Sequence, residues 1–235
     1  MRVVRNDAFI KDRVKFTQRG SLIGMGLLLV SLVLSTRSPL ISWLFLVAGF
    51  AVAMTAVRVG NRYVRLPRPD VILDKVLKGL DNRYELYHYV SPAEHLLLTP
   101  SGLIAILMRE QRGQIRVRGK RWQHRPFWQR LRIILGEMPL GNPGRDLRRE
   151  LARVANALPA AGIQEDSVPI EGVITFYSGK TELQVENPEF PVTLAENLRA
   201  TIRTMAETHP PLPNSTRKAL SAALRGERTA VEEKD

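Results

Sequence analysis

The stretch Glu94–Arg121, EHLLLTPSGLIAILMREQRGQIRVRGKR, decides how the C-terminal part of this chain reads. Leu96 to Thr99 is apolar, Pro100-Ser101-Gly102 is turn chemistry, and Leu103 to Met108 is apolar again. Gly113 opens a segment that alternates, with Ile115, Val117 and Gly119 set against Arg116, Arg118 and Lys120. The pattern predicts three short strands joined by tight turns.

Working outward, Tyr84 to Val90 (YELYHYV) alternates like another strand. Before it, Asp70 starts a helix whose apolar positions Val71, Leu73, Leu77 and Leu80 keep helical spacing. Downstream, Arg121 to Gly136 turns basic and aromatic, and Pro126 to Leu135 reads as a short amphipathic helix burying Phe127, Leu131 and Leu135. Asn142-Pro143 is an N-cap followed by proline at the first helical position, leading a helix faced by Leu147, Leu151, Val154, Ala155 and Leu158. Val168 to Tyr177 is a strongly apolar strand and Thr181 to Glu186 a short one. Thr193-Leu194-Ala195-Glu196 reads as a capping box for a helix carrying Leu198, Ile202 and Met205. Ser215 caps a last short helix, and the charged tail from Gly226 reads as disordered. This order predicts the α/β group, an α+β mixed sheet flanked by helices.

The chain has 235 residues, enough for one ordinary domain and an extra segment. It has no cysteine, which excludes disulfides and thiolate metal sites. A net charge of +12 favours contact with nucleic acid or an anionic lipid surface, although excess Lys and Arg is also ordinary on the cytoplasmic parts of membrane proteins. The four histidines, at 88, 95, 124 and 209, show no metal-ligand spacing, and His88 reads as a strand residue beside Tyr87 and Tyr89. There is no nucleophile elbow and no phosphate-binding glycine loop.

The extra segment is N-terminal. Ser21 to Thr36 and Leu40 to Val57 carry no charge, and only Arg37-Ser38-Pro39 separates them. About 20 apolar residues span a bilayer core, so two antiparallel transmembrane helices are predicted. Gly24, Gly26, Ala48, Gly49, Ala51 and Ala53 are small enough to sit at their contact. Arg2, Arg5, Lys11, Arg13, Lys15 and Arg19 precede the hairpin, and Arg58, Arg62, Arg65 and Arg68 follow it. The positive-inside rule then places both ends, and the domain, on the cytoplasmic side of an inner or plasma membrane. The predicted organisation is a basic N-terminus (1–20), the hairpin (21–58), a linker (59–69), the domain (70–208) and a short helix with a charged tail (209–235).

Several local patterns in the domain follow one order: Asp74 before Leu77 and Leu80, Glu94-His95 before an apolar run, the Pro100-Ser101-Gly102 turn, Gly113 with Ile115 and Trp122, Asn142-Pro143, and the strand Val173 to Phe176. In this order the chain resembles the nuclease-related domain (NERD) family, relatives of the restriction endonucleases, from about Asp70 to Met205. The resemblance implies a restriction-endonuclease-like fold. It also implies a catalytic centre in which two carboxylates and a backbone carbonyl hold a divalent cation, usually magnesium, beside a lysine. Carried over residue by residue, that centre falls on Asp74, Glu94 and Arg109. The family's Glu-x-Lys pair, however, falls on Leu107 and Arg109. Leucine offers a cation no ligand, and a guanidinium with a pKa above about 12 is no base. Glu110, the nearest substitute carboxylate, lies three residues from Leu107 and so on the opposite face of a regular strand.

Between Arg109 and Arg132 nine Lys or Arg face a single acid, Glu110, with aromatics interleaved. Arg112, Arg116, Arg118, Lys120, Arg121, Trp122, Arg125 and Trp128 are the candidate contacts for nucleic acid or a lipid surface. Arginine with aromatics suits phosphate contact and base stacking. It equally suits a bilayer interface, and a solvated arginine face over core tryptophans is the plain alternative.

Two functional readings result. The first is a membrane-anchored, catalytically impaired module that binds an anionic partner or another protein, with no small-molecule cofactor and no metal. The second is a magnesium-dependent nuclease with a rearranged site built on Asp74, Glu94 and Glu110.

Overall fold

A computed structural model describes residues 1–125, 139–159, 163 and 167–232. The chain divides into two units, one containing the helical segment Asp7–Arg68 and the other an α/β domain built from Met1–Asn6, Pro69–Phe127 and Leu140–Asp235.

In chain order the elements are β1 (Arg2–Arg5), α1 (Asp7–Leu34), α2 (Pro39–Tyr63), α3 (Pro69–Leu77), β2 (Glu85–His88), β3 (His95–Leu98), β4 (Leu103–Arg109), β5 (Gly113–Arg118) and β6 (Arg121–Arg125). After them come α4 (Pro143–Ala157), β7 (Ile170–Phe176), β8 (Thr181–Glu186), β9 (Val192–Leu194), a 3-10 turn (Ala195–Asn197), α5 (Leu198–Glu207) and α6 (Asn214–Glu232).

Both helices of the hairpin are long and apolar enough to cross a membrane. Their outward side chains include Leu22, Leu32, Val33, Leu40, Trp43 and Leu44, all exposed. An apolar surface this continuous is costly in water and neutral in lipid. The seam between the helices is made of small residues. A Cβ on Gly24 would lie 2.8 Å from the Ala53 backbone nitrogen, and one on Gly49 would lie 3.0 Å from the Leu28 nitrogen. Gly26 meets nothing within 4 Å, so it is not part of the contact; Gly20, against Ala56, is. Ser31 and Ser42 exchange hydrogen bonds, each hydroxyl donating to the other's carbonyl at 2.9 and 2.7 Å. At the open end, Phe9 and Tyr63 meet edge to face at 5.5 Å, and the Arg13 guanidinium lies over both rings.

The helices are longer than their uncharged cores. α1 begins at Asp7 and α2 runs to Tyr63, so the predicted basic N-terminus is largely helical and the linker is helical as far as Tyr63. The other departure is β1, which the sequence reading leaves in the basic N-terminus. Its four residues pair in parallel with β2, from Arg2↔Glu85 to Arg5↔His88.

The domain is mixed α/β. Six strands form one sheet in the order β1-β2-β3-β4-β7-β9, and three form another in the order β6-β5-β8. β4 lies parallel to β7 with Leu103 opposite Ile170, and β5 lies parallel to β8 with Gly113 opposite Thr181. The offset grows by one residue between these pairs, so one bulged strand pair passes from the first sheet into the second. Gly113, at φ +88°, is where β5 starts.

The predicted turn at Pro100 is sealed by Thr99, whose hydroxyl accepts from the Ser101 and Gly102 amides at 3.2 and 3.0 Å. Gly102 permits a close approach, since a Cβ there would sit 2.4 Å from the Pro169 carbonyl oxygen. Alternation along β3 and β4 sends side chains to two cores. Leu97, Ile104 and Ile106 pack with Leu73 and Leu77 of α3 and Ile202 of α5. Leu96, Leu98, Leu103 and Leu107 pack with Leu147 and Val154 of α4 and Leu220 and Leu224 of α6. Each such buried leucine contributes about 1.5–3 kcal/mol.

Asn142 caps α4 as predicted, its Oδ1 accepting from the Arg145 amide at 3.0 Å. The predicted capping box does not form. Thr193 belongs to β9, its hydroxyl donates to the Leu194 carbonyl at 3.3 Å, and a 3-10 turn leads into α5. α6 extends to Glu232, beyond the Gly226 limit read from composition. The predicted helix Pro126 to Leu135 lies outside the described residues.

Candidate functional site

The antiparallel register of β2 and β3 sets His88 directly opposite His95. Alternation turns both rings to the face covered by α3, and both are buried. Their Nδ1 atoms are 2.9 Å apart, with rings at 5.0 Å and nearly perpendicular. On its other side, Nε2 of His88 lies 3.0 Å from Oδ1 of Asp74. One proton on each ring satisfies both contacts: His95 Nδ1–H donates to His88 Nδ1, and His88 Nε2–H donates to Asp74. Tyr89, at φ 59°, turns the chain out of β2 and packs its ring 5.2 Å from that of His95.

Arg5 completes this network from β1. Its Nε lies 3.1 Å from Oδ2 of Asp70, and its terminal nitrogen bonds Oδ2 of Asp74. Asp70 is fully buried. One guanidinium thus bridges two carboxylates one helical turn apart on α3, at the start of the domain's first helix.

This geometry bears on the centre implied by the resemblance. Asp74 is in the network, but Arg109 is not. Arg109 and Leu107 share a face of β4, and that face is the α4 side. Leu107 is buried in the core there, and Arg109 pairs with Asp146 of α4 at 2.5 Å. Glu94 occupies the bend before β3, where its carbonyl accepts from the Tyr89 amide at 2.9 Å. Glu110 lies 3.8 Å from Arg112 at the end of β4. The structure therefore does not bring Asp74, Glu94 and Arg109 together, nor Asp74, Glu94 and Glu110. These residues do not fit a magnesium centre, because the oxygens of Asp74 already face His88 and Arg5. Among the described residues, no three His, Cys, Asp or Glu side chains converge as metal ligands.

The basic segment is a sheet surface. On its outer face β5 presents Gln114, Arg116 and Arg118, with β8 alongside presenting Glu182, Gln184 and Glu186. Gln114 donates to Glu182 at 3.1 Å, Arg116 to Gln184 at 2.9 Å, and Arg118 pairs with Glu186 at 2.7 Å. On the other side β6 places Arg121 opposite Arg118. Lys120 and Arg121 are exposed, and Arg112 is half-buried. Trp122 points the other way, into the core against Phe176, with ring centres 6.3 Å apart. His124 bonds the Arg112 carbonyl at 2.6 Å, and Arg125 ends β6. Trp128 lies outside the described residues.

A second polar cluster occupies the opposite face of β2. Oε2 of Glu85 accepts from the Tyr87 hydroxyl at 2.7 Å, the Ser221 hydroxyl at 2.8 Å and the Arg225 guanidinium at 2.8 Å. Burial disfavours the Glu85 charge, but those three donors outweigh it and hold its carboxyl below the usual range. Burial, above all, pushes the Tyr87 hydroxyl up.

The sequence reading missed Arg5, the His88–His95 pair and the Glu85 cluster. Two histidines in one hairpin were a usable signal for the pair. Arg5 gave none, since it meets Asp74 across the whole hairpin.

The chain matches no protein-family model, no curated protein and no solved structure.

Proposed function

We propose that this chain is a membrane-anchored, non-catalytic module with a restriction-endonuclease-like, NERD-related domain held against the cytoplasmic face of a plasma or inner membrane. Arg5 carries the reading. A guanidinium set between Asp70 and Asp74 supplies the positive charge that a nuclease of this kind takes from its cation, and it cannot activate water. The ancestral centre then serves to tie β1 to α3.

The partner of the basic surface is anionic lipid. Trp122 is committed to the core, which removes a stacking platform that single-stranded nucleic acid would use. Lys120 and Arg121 remain as point charges, each contributing about 1 kcal/mol near an anionic leaflet. Excess Lys and Arg at both ends of the hairpin supports the cytoplasmic placement.

The test uses the full chain reconstituted in vesicles. A fluorophore on Lys120→Cys is quenched by spin-labelled lipid when phosphatidylglycerol is present, and high salt relieves the quenching. Equal quenching in purely zwitterionic vesicles removes the lipid reading, and salt-sensitive binding of an oligonucleotide puts nucleic acid in its place. Magnesium-dependent cleavage of DNA or RNA that Glu94→Ala abolishes ends the non-catalytic reading.

A further inference from the structure

Beside the Glu85 cluster lies an open cleft of about 230 Å³, lined by Glu85, Arg217, Lys218, Ser221, Ala222 and Arg225. It belongs to neither the Arg5 network nor the β5–β6 surface. Its floor is built by half-buried polar groups. Glu85, whose side chain is 14% exposed, spends one oxygen on three donors, and Arg225 balances its charge. Arg217, Ser221 and Arg225 recur every four residues of α6, so they share a face, with Lys218 one turn from Ser221. Arg217 and Lys218 therefore add two positive charges to a floor that is already neutral. Among the described residues neither makes an ion pair.

We propose that this cleft binds a phosphate group, carried by a phospholipid headgroup or free in solution. Chemistry and size both point to it. A guanidinium and an ammonium converging on a concave surface match phosphate oxygens, the first as a fork and the second as a point charge. The volume is below the roughly 300–1,000 Å³ of pockets that hold drug-sized ligands, a size that suits a phosphate group. Glu85 orients the site: it fixes Arg225 and leaves Arg217 and Lys218 to meet the anion.

The test is calorimetry on the full chain in a neutral detergent at low ionic strength. Inorganic phosphate and dihexanoyl phosphatidic acid are titrated separately. Saturable binding is expected, weakened about tenfold or more by Arg217→Gln or Lys218→Gln, because each removes a charge-assisted contact. Arg203→Gln, exposed on α5, leaves the affinity unchanged. Comparable binding of the two ligands assigns the site to free phosphate; tighter binding of phosphatidic acid assigns it to a lipid headgroup. The proposal is overturned if neither ligand saturates, or if both cleft variants keep wild-type affinity.

Discussion

Replacing Arg5 by alanine is the sharpest perturbation of this fold. Arg5 sits on an edge strand, yet it neutralises a fully buried carboxylate, Asp70, and a partly exposed one, Asp74. Breaking a fully buried ion pair costs about 3–5 kcal/mol, because the remaining charge keeps its desolvation penalty and loses its partner. Arg5 is 26% and Asp74 31% exposed, so water screens part of that loss and about 2–4 kcal/mol is the discounted figure. At roughly 2–4 °C per kcal/mol for a domain of this size, the melting temperature falls by about 4–16 °C. The assay is thermal or urea unfolding of the full chain in detergent, followed by tryptophan emission in a Trp43→Phe, Trp128→Phe background, which leaves Trp122 as a half-buried reporter packed against the domain core. Arg5→Lys keeps the charge but cannot reach both carboxylates as a fork, so it recovers only part of the loss. Asp70→Asn in the Arg5→Ala background removes the buried charge that Arg5 balances and should restore stability. If Arg5→Ala costs less than about 0.5 kcal/mol, or Asp70→Asn gives no rescue, the ion bridge does not hold β1 in place.

The lack of native cysteine makes topology directly measurable: Ser38→Cys in the hairpin turn reacts with an impermeant maleimide from outside intact cells, whereas Asp81→Cys reacts only after permeabilisation. The reverse pattern would invert the proposed orientation. Gly24→Leu forces a side chain where Cβ alone would be 2.8 Å from the Ala53 nitrogen, so the helices separate and a disulfide engineered across Ser31 and Ser42 stops forming; unchanged cross-linking refutes the seam. Leu107→Glu, which would rebuild the nuclease pattern, instead buries a carboxylate among Leu147 and Ile174 and unfolds the domain; a folded, cleaving variant refutes the register. Glu85 gives a pH signature. Its folded carboxyl lies below the unfolded value near 4.5, so its contribution is present above that value and fades as pH falls through the folded one. Glu85→Gln should flatten the acid limb of stability against pH, and parallel limbs for the two proteins refute the assignment.

The parts of this fold legible in the sequence are those set by local pattern. The strands at Leu96, Leu103 and Gly113 announce themselves by turn chemistry and alternation, and Asn142-Pro143 announces α4. β6 was hidden because its run Arg121–Arg125 is polar and charged; it pairs because it follows β5 through a tight turn at Gly119. The Thr193 box failed because its threonine was already held in β9 by pairing with Thr175. The candidate site was legible in fragments only. Asp74 and His95 drew attention one at a time. What joins them is the strand register that sets His88 against His95, and an arginine from before the hairpin. Composition marked the arginines of β5 as a basic patch, but the parallel pairing with β8 places Glu182, Gln184 and Glu186 beside them. Long-range pairing of this kind leaves no trace in a local window.

The position of β1 has a consequence for how the domain is assembled and handled. The edge strand of the sheet precedes the apolar hairpin, and every other strand follows it. Hence both ends of the hairpin must lie on one side of any membrane it crosses, whichever side that is. Loop closure over a long segment is entropically costly, and the hairpin reduces that cost. Its small-residue seam and the Phe9–Tyr63 contact bring its own two ends together. The strand that leaves before it and the helix that follows it therefore start as neighbours. A fragment cut at the start of the domain, near Pro69, loses more than its anchor. It loses the strand that covers the edge of β2 and the guanidinium that balances Asp70 and Asp74. Such a fragment exposes an unpaired strand edge and takes the guanidinium away from two carboxylates, both of which favour aggregation or unfolding over function. Restoring residues 1–6 through a short flexible linker to Pro69 would return the strand and the arginine without the membrane helices. If that linked version is no more stable than the plain fragment, β1 owes its place to the hairpin and not to the pairing and ion bridge described above.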